Sequence, residues 1–405
     1  MKWEKVKLGD IATCIQPGPF GSQLHNSDYS KEGTPIIMPK DIVGGAIVHS
    51  GLLKVSEEHV KRLSRHQVYE GNLMVARKGD VRKCAYITAN ENGWMTGSDC
   101  LKVVLDESKC YPKFIYYQLR SEHIGRWLEK VSIGATMPSL NTGLLSGIEM
   151  VLPPIEIQKQ IAGILSVYDD LIENNQKQIK LLEEAAQRLY KEWFVDLRFP
   201  GHENTKIVDG VPEGWNWCKL EDAIQLDPRV TLTKERMKQF IPMSALSTSS
   251  MVLDESQFTE TTSNSGSKFQ NGDTLLARIT PCLENGKTAY VSELKSDEGA
   301  VGSTEYIVMR AKTINSYMVY LLARTDDFRQ SAINSMSGSD GRQRVKSDKL
   351  KMLDYLHPVS ELVEKFENVA EPLFEKICKL SKQMQQAKQA RDLLLPKLMS
   401  GEVEV

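Results

Sequence analysis

The sequence predicts an α+β protein built from one plan used twice: two globular domains separated by two long helices that pair as an antiparallel coiled coil, in a pseudo-twofold internal repeat. Three observations predict it. First, landmarks recur in unbroken order. Trp3, Leu8 and Asp10 return as Trp215, Leu220 and Asp222, and Gly71, Leu73, Ala76 and Arg77 return approximately as Gly272, Thr274, Ala277 and Arg278. Gly97-Ser98 returns as Gly302-Ser303, Tyr117 and Leu119 as Tyr320 and Leu322, and Leu152 and Pro154 as Leu356 and Pro358. Second, each half changes character once, from short β-rich runs punctuated by Gly, Asn, Asp and Ser to a long helical pattern. Third, each helical pattern carries an apolar seam with spacings of three and four.

Taken in order, residues 1–153 form the first globular domain. Its β-rich runs, such as Thr34-Pro-Ile-Ile-Met and Leu101-Lys-Val-Val-Leu, are bounded by turn residues, and one amphipathic helix is expected from Pro112 to Leu128. Residues 154–196 form the first spacer helix, started by Pro153-Pro154. Its seam is Leu165, Tyr168, Ile172, Asn175, Ile179, Leu182, Ala186 and Leu189, continuing to Trp193, with no Pro or Gly inside. Phe199-Pro-Gly opens the linker, 197–214. Residues 215–357 repeat the first domain, with a helix expected from Ser316 to Phe328. Residues 358–405 hold the second spacer helix and a tail. Its seam is Leu373, Ile377, Leu380, Met384, Ala387, Arg391 and Leu394, expected to start just after Pro372 and to end at Pro396. Paired along their length, the helices must run antiparallel, which brings the termini together. At about 1.5 Å per residue, seams of about 24 to 30 residues give a rod of roughly 36 to 45 Å, close to one turn of duplex DNA. Asn175 and Arg391 are polar seam residues of the kind that fixes register at a cost in stability or sits at a partly solvated turn.

Composition excludes several classes. The 405 residues are 41% hydrophobic and 26% charged, which excludes a disordered chain and a small disulfide scaffold. Fifty-one Lys and Arg against 53 Asp and Glu give a formal net charge of −2, so a uniformly basic nucleic-acid coat is excluded and any polyanion contact must be local. The seven cysteines are scattered without a Cys-x-x-Cys pair, as reduced core cysteines are. No apolar run approaches the roughly 20 residues of a bilayer span, and the start lacks the apolar stretch of a signal peptide. A cytosolic protein with no membrane contact is expected.

The sequence carries little reaction chemistry. Pro281-Cys-Leu-Glu-Asn-Gly286-Lys287-Thr288 ends like a phosphate-binding loop, but Pro281 stands where the motif needs its first glycine and no long helix follows. Gly-x-Gly-x-x-Gly, His-Glu-x-x-His and Gly-x-Ser-x-Gly are absent, the seven histidines do not cluster, and Glu293-Leu-Lys295 lacks an acidic partner. No catalytic residue and no metal ligand is assigned. Basic residues do cluster locally: Lys61, Arg62, Arg65, Arg77, Lys78, Arg82 and Lys83 in the first domain, and Arg342, Arg344, Lys346, Lys349 and Lys351 in the second. Such runs are solvated surface or phosphate contacts.

Several stretches then resemble one family, the DNA-specificity subunits of type I restriction-modification systems. Gly18-Pro-Phe20-Gly-Ser22, with Gly33-Thr-Pro35 and Asp41-Ile42, resembles the opening of their target-recognition domains. Gly134-Ala-Thr-Met-Pro-Ser-Leu-Asn141, running into Leu152-Pro-Pro-Ile-Glu-Ile-Gln158, resembles the end of such a domain and entry to its spacer helix. Leu189-Tyr-Lys-Glu-Trp193-Phe194-Val-Asp196, Arg198-Phe-Pro-Gly201 and Gly210-Val-Pro-Glu-Gly-Trp215 resemble the passage into the second domain, Ala277-Arg278 to Gly286-Lys287 a recurrent recognition-domain segment, and Leu394-Leu-Pro-Lys-Leu-Met-Ser-Gly401 the usual ending. The second domain departs from the pattern: it lacks the Pro-Phe-Gly-Ser element, and Ser244 to Ser267 is rich in Ser and Thr.

The resemblance implies a non-catalytic reader of double-stranded DNA. Each recognition domain would take one half of a bipartite, asymmetric target, with the helices setting the spacer. Two methyltransferase (modification) subunits and, in the full complex, two restriction subunits would be its partners. S-adenosylmethionine and ATP with Mg would belong to those partners and none to this chain, in a prokaryotic cytoplasm. Arg77, Lys78, Arg82, Lys83, Arg278, Lys287, Arg342, Arg344 and Lys346 are candidate DNA contacts, and Trp193 and Phe194 are candidates for binding a partner or for plugging the junction of helix and domain. The alternatives from other classes are a coiled-coil protein–protein scaffold without DNA binding, which the near-neutral charge favours, and a stand-alone methyltransferase or nuclease.

Overall fold

The computed structural model describes residues 3–132, 134, 138–292, 294–295, 299–338 and 343–405. It divides into two units, Met1–Leu171 with Ala387–Val405 and Ile172–Gln386. In chain order the α-helices are α1 (Leu8–Ile11), α2 (Glu57–Arg62), α3 (Pro112–Leu119), α4 (Glu122–Val131), α5 (Thr142–Ser146), α6 (Ile155–Tyr190), α7 (Leu220–Ala223), α8 (Ser316–Arg324), α9 (Asp326–Asn334), α10 (Ser347–Lys351) and α11 (Ser360–Ser400).

The two units repeat the order of one four-stranded sheet and of a closing ribbon, and differ at the edges of a second sheet. In the first unit a four-stranded sheet runs Ala12–Pro17, Cys100–Leu105, Leu73–Ala76, Cys84–Tyr86, and in the second Ile224–Leu226, Tyr306–Ala311, Thr274–Ala277, Thr288–Tyr290. Both are antiparallel, and both bury the third strand completely. A second four-stranded sheet in each unit contains one parallel pair, Ile36 opposite Met95 in one and Phe240 opposite Val301 in the other. A two-stranded ribbon closes each unit, Glu4–Lys7 on Glu149–Leu152 and Asn216–Lys219 on Asp354–His357. The recurring residues are those this plan needs: Leu8 and Leu220 are both at most 2% exposed under their ribbons.

Two helix expectations are corrected. The single helices expected over 112–128 and 316–328 are each two helices, α3 with α4 and α8 with α9. The break has a local cause in both: the Ser121 and Thr325 hydroxyls accept from the N–H groups of Ile124 and Phe328, capping a new helix where apolar periodicity alone suggested continuity. Nor does the second long helix start after Pro372 and stop at Pro396. α11 is 41 residues long and contains both prolines. Pro372, Pro396 and the residues one turn earlier, Asn368 and Asp392, are exposed, so the carbonyls that lose a donor face water. The burial of Phe366, Ala370, Phe374, Ile377, Leu380 and Leu398 on the opposite face outweighs that loss.

In the first unit Ile161, Ala162 and Leu165 of α6 share a core with Leu398 of α11. In the second, Ile179, Ala186 and Tyr190 share a core with Phe366, Phe374, Ile377 and Leu380. Within each unit the two helices run antiparallel: Tyr190 lies at 6.0 Å from the Phe366 ring, while the Asn175 side-chain amide donates to the carbonyl of Leu380 at 3.4 Å. Leu165, Ile172, Asn175, Ile179, Ala186, Ile377, Leu380 and Ala387 are buried, and Tyr168, Leu182, Leu189, Leu373, Met384, Arg391 and Leu394 half-buried. In the first unit Gly401 lies against the Trp3 indole, so both chain ends meet there.

The segment rich in Ser and Thr is ordered by a buried carboxylate. Glu183 of α6, 5% exposed, accepts from the Ser250 hydroxyl at 2.7 Å and the Met251 N–H at 2.8 Å. A 3-10 turn, Met243–Ala245, precedes these residues, and a second, Glu255–Gln257, with the strands Thr259–Thr261 and Ser267–Phe269 follows them.

Candidate nucleic-acid interface

The repeated arginines sit at the same structural place. Each ends the buried third strand of its sheet, and the backbone there is bonded alike: the Arg77 N–H donates to Asp99 O and its carbonyl accepts from Leu140, as Arg278 does with Glu305 O and Val345. Lys83 and Lys287 also correspond, donating to the carbonyls of Pro39 at 3.1 Å and Met243 at 2.9 Å. Those two lysines hold loops in place.

Most of the other basic residues are also engaged inside their unit. Lys78 pairs with Asp99 at 3.2 Å, Arg82 with Glu122 and with Glu129, and Arg344 forms a bidentate pair with Glu305. Arg278 donates to Val345 O at 3.1 Å and to the Ser347 hydroxyl at 3.2 Å. Lys346 is exposed just before α10, and Arg342 lies outside the described residues. Arg77 has its guanidinium 5.5 Å from the centroid of the Phe20 ring. Trp193 and Phe194 pack on Phe366, with centroids at 5.6 and 5.0 Å, and Phe194 also meets Trp215, so much of their surface is used within the second unit.

Two of the cations that line an open surface, Arg229 and Lys234, belong to a segment outside the basic clusters of the sequence. A cleft of about 550 Å³ in the second unit is walled by residues 227–232, Lys234 and 266–268, with Arg278 at its base. Arg229, Lys234, Lys268 and Arg278 give it four cations, against one carboxylate, Asp227. That carboxylate accepts from the Val308 N–H at 3.0 Å and from the Ser347 hydroxyl. Asp227 has φ 47°, a left-handed turn that a short polar side chain tolerates. Asn264, also lining the cleft, donates to Leu232 O at 3.2 Å and keeps its carbonyl oxygen without a hydrogen-bond partner. A concave cationic surface can hold an anionic backbone. The usable sequence signal was the spacing of Arg229, Lys234, Arg236 and Lys238 beside a turn.

The corresponding surface of the first unit is built from different chemistry. The loop after strand Ala12–Pro17 carries Phe20, 53% exposed. Its base is fixed by polar side chains: half-buried Gln16 and the buried Lys102 ammonium both donate to Arg65 O, and Lys102 also donates to Gln67 O at 2.9 Å. Next to them His66, 3% exposed, accepts at Nε2 from the Arg65 guanidinium at 3.0 Å. Burial, then the Arg65 and Lys102 charges, push its pKa down to about 4. A histidine held neutral stabilises the fold above its ordinary value of 6.5, and that contribution is lost as pH falls from 6.5 toward 4. The first unit is therefore expected to lose up to about 3 kcal/mol across that window. Urea unfolding of the wild type and His66→Phe at pH 7 and pH 5 checks this, the variant losing the less.

Among the described residues no group of three or more His, Cys, Asp and Glu could hold a metal ion, and no helix is long and apolar enough to cross a membrane. Comparison with known proteins adds the family. The family model for the type I restriction modification DNA specificity domain matches residues 1–184. The specificity subunit of the type I restriction enzyme MjaIX from Methanocaldococcus jannaschii is 25% identical over 415 residues, covering 100% of this chain and 94% of that protein. That of EcoAI from Escherichia coli is 34% identical over 140 residues, 33% of this chain and 24% of its own. The crystal structure of a type I restriction-modification S subunit from M. genitalium has the same fold, with a TM-score of 0.60 at 14% identity, covering 98% of this chain and 96% of that one. With the repeated central sheet and the paired helices, these likenesses make residues 1–184 similar to the type I restriction modification DNA specificity domain and the whole chain similar to type I specificity subunits.

Proposed function

We propose that this chain reads a bipartite, asymmetric sequence in double-stranded DNA, one half with each unit, and directs partner enzymes to it. The observation that carries the reading is one central sheet order used twice with different chemistry on the matching surfaces: a stacked Phe20–Arg77 pair in one unit and a four-cation cleft in the other. Equal scaffolds with unequal surfaces suit unequal half-sites, because base discrimination comes from side chains in the groove and the scaffold only positions them. Specificity subunits of this family act within a complex with other subunits and DNA. In this reading the partners are two modification subunits using S-adenosylmethionine and two restriction subunits using ATP and Mg, in the cytoplasm of a prokaryote, and this chain holds no cofactor.

Lys234 and Lys268 serve phosphates in this account. Each replaced by Ala is expected to weaken DNA binding by the complex to a similar degree across sequences and to lower the slope of log K against log salt by about 1. Binding titrations between 50 and 200 mM salt measure it, and unchanged slopes would remove the cleft from the interface.

A further inference from the structure

We propose that Phe20 is a base-reading residue of the first unit, an apolar ring that packs on the C5 methyl of a thymine while the Arg77 guanidinium behind it meets the neighbouring phosphate. This rests on the DNA-reading function proposed above and assigns a residue to one of its half-sites.

A singly exposed apolar side chain needs no explanation by itself. Phe20 differs in how firmly it is presented. Gly18 is packed so closely that an added Cβ would lie 1.9 Å from Gly97 O, and its own N–H donates to Cys100 O at 3.0 Å. Pro17 and Pro19 restrict the chain on either side, and Gly21 takes φ 60°, a left-handed conformation natural to glycine. Beyond the ring, Gln23 O accepts from the Arg62 guanidinium at 2.8 Å, and before it Gln16 is anchored to Arg65 O. A rigid loop therefore holds a half-exposed phenyl ring outward at little further entropic cost on binding.

The ring's surroundings point to DNA. The Arg77 guanidinium lies over it at 5.5 Å, and the residue stays 53% exposed. A ring with a cation behind it matches the pairing a duplex groove offers, a thymine methyl beside an anionic phosphate. Its place in the repeat agrees: the loop follows the strand Ala12–Pro17 just as the cleft-forming segment follows Ile224–Leu226, and the arginine beneath each is the repeated one. The second unit has no aromatic residue between Asp227 and Lys238, so the ring is a device of one half-site only.

The test is selection from a random duplex pool by the full chain with its modification partners, comparing wild type with Phe20→Ala and Phe20→Leu. Phe20→Ala should relax one or two adjacent positions of one half-site, one of them a thymine, leave the other half-site intact, and weaken binding about tenfold or more. Deoxyuridine at that thymine should weaken the wild type and leave Phe20→Ala unaffected. Phe20→Leu should keep the motif. An unchanged motif in Phe20→Ala overturns the proposal, as does loss of all selection in both variants. A wild-type complex that selects no bipartite motif fails the broader function instead, which keeps the two failures apart.

Discussion

Replacing Asp273 with Ala is expected to cost the second unit about 3–5 kcal/mol, among the largest single-residue effects in the chain. Asp273 is 1% exposed, its two carboxylate oxygens each accept from the Arg310 guanidinium at 2.7 Å, and one also accepts from the Gln270 N–H at 2.8 Å. Removing the carboxylate leaves a guanidinium with only a fifth of its side chain exposed and no counter-charge in place. The pair itself is not required by the fold. At the matching places the first unit has Asn72 and Val104, and Asn72 keeps the turn by accepting from the Tyr69 N–H at 3.1 Å. Asp273→Asn with Arg310→Val should therefore recover much of the loss. Urea unfolding of the two single variants and the double variant measures the coupling, and additive losses would contradict it.

A loss of about 3–5 kcal/mol is also expected for Phe374→Ala. Phe374 is 2% exposed on α11 and its ring meets Tyr317, Tyr290 and Tyr320 at centroid distances of 4.8, 5.2 and 5.8 Å. Truncation opens a cavity bounded by three large rings that cannot close around it without leaving their own contacts. The matching place in the first unit is Asp169. It accepts from the Arg391 guanidinium at 2.7 Å and from the Tyr117 hydroxyl at 2.7 Å. One helix pair is thus secured by an aromatic cluster in one unit and by a charged network in the other. Thermal unfolding of Phe374→Ala and Phe374→Leu checks the prediction, the leucine variant retaining most of the lost stability.

The repeat was legible in the sequence because the residues that recur are held by backbone and core demands common to both units. Leu8 and Leu220 fill the same buried place, and Arg77 and Arg278 end the same strand. The long helices were legible from their seams, and Arg391 was recognised as a polar position, but its partner Asp169 sits on another helix and is invisible to periodicity. The helix ends depart from the sequence expectation where a local rule meets a tertiary one: Pro372 and Pro396 do break hydrogen bonds, yet the buried face of α11 carries the helix through them. The opposite happened at Ser121 and Thr325, where a capping hydroxyl outweighed a continuous apolar pattern.

The site was less legible than the fold. Counting cations marks Arg82, Arg344, Lys83 and Lys287, and each of these is engaged by a carboxylate or a carbonyl of its own unit. The available charge at the cleft depends on a left-handed turn at Asp227 and on Asp227 being occupied by Val308 and Ser347. Those are distances in space with no regular spacing along the chain.

The most direct test of the account is to sequence the methylated sites in cells carrying the modification partners with and without this chain. One bipartite motif is expected, two short specified parts around an unspecified spacer, that disappears when the chain is deleted. A single continuous motif, or methylation that persists unchanged after deletion, would contradict it.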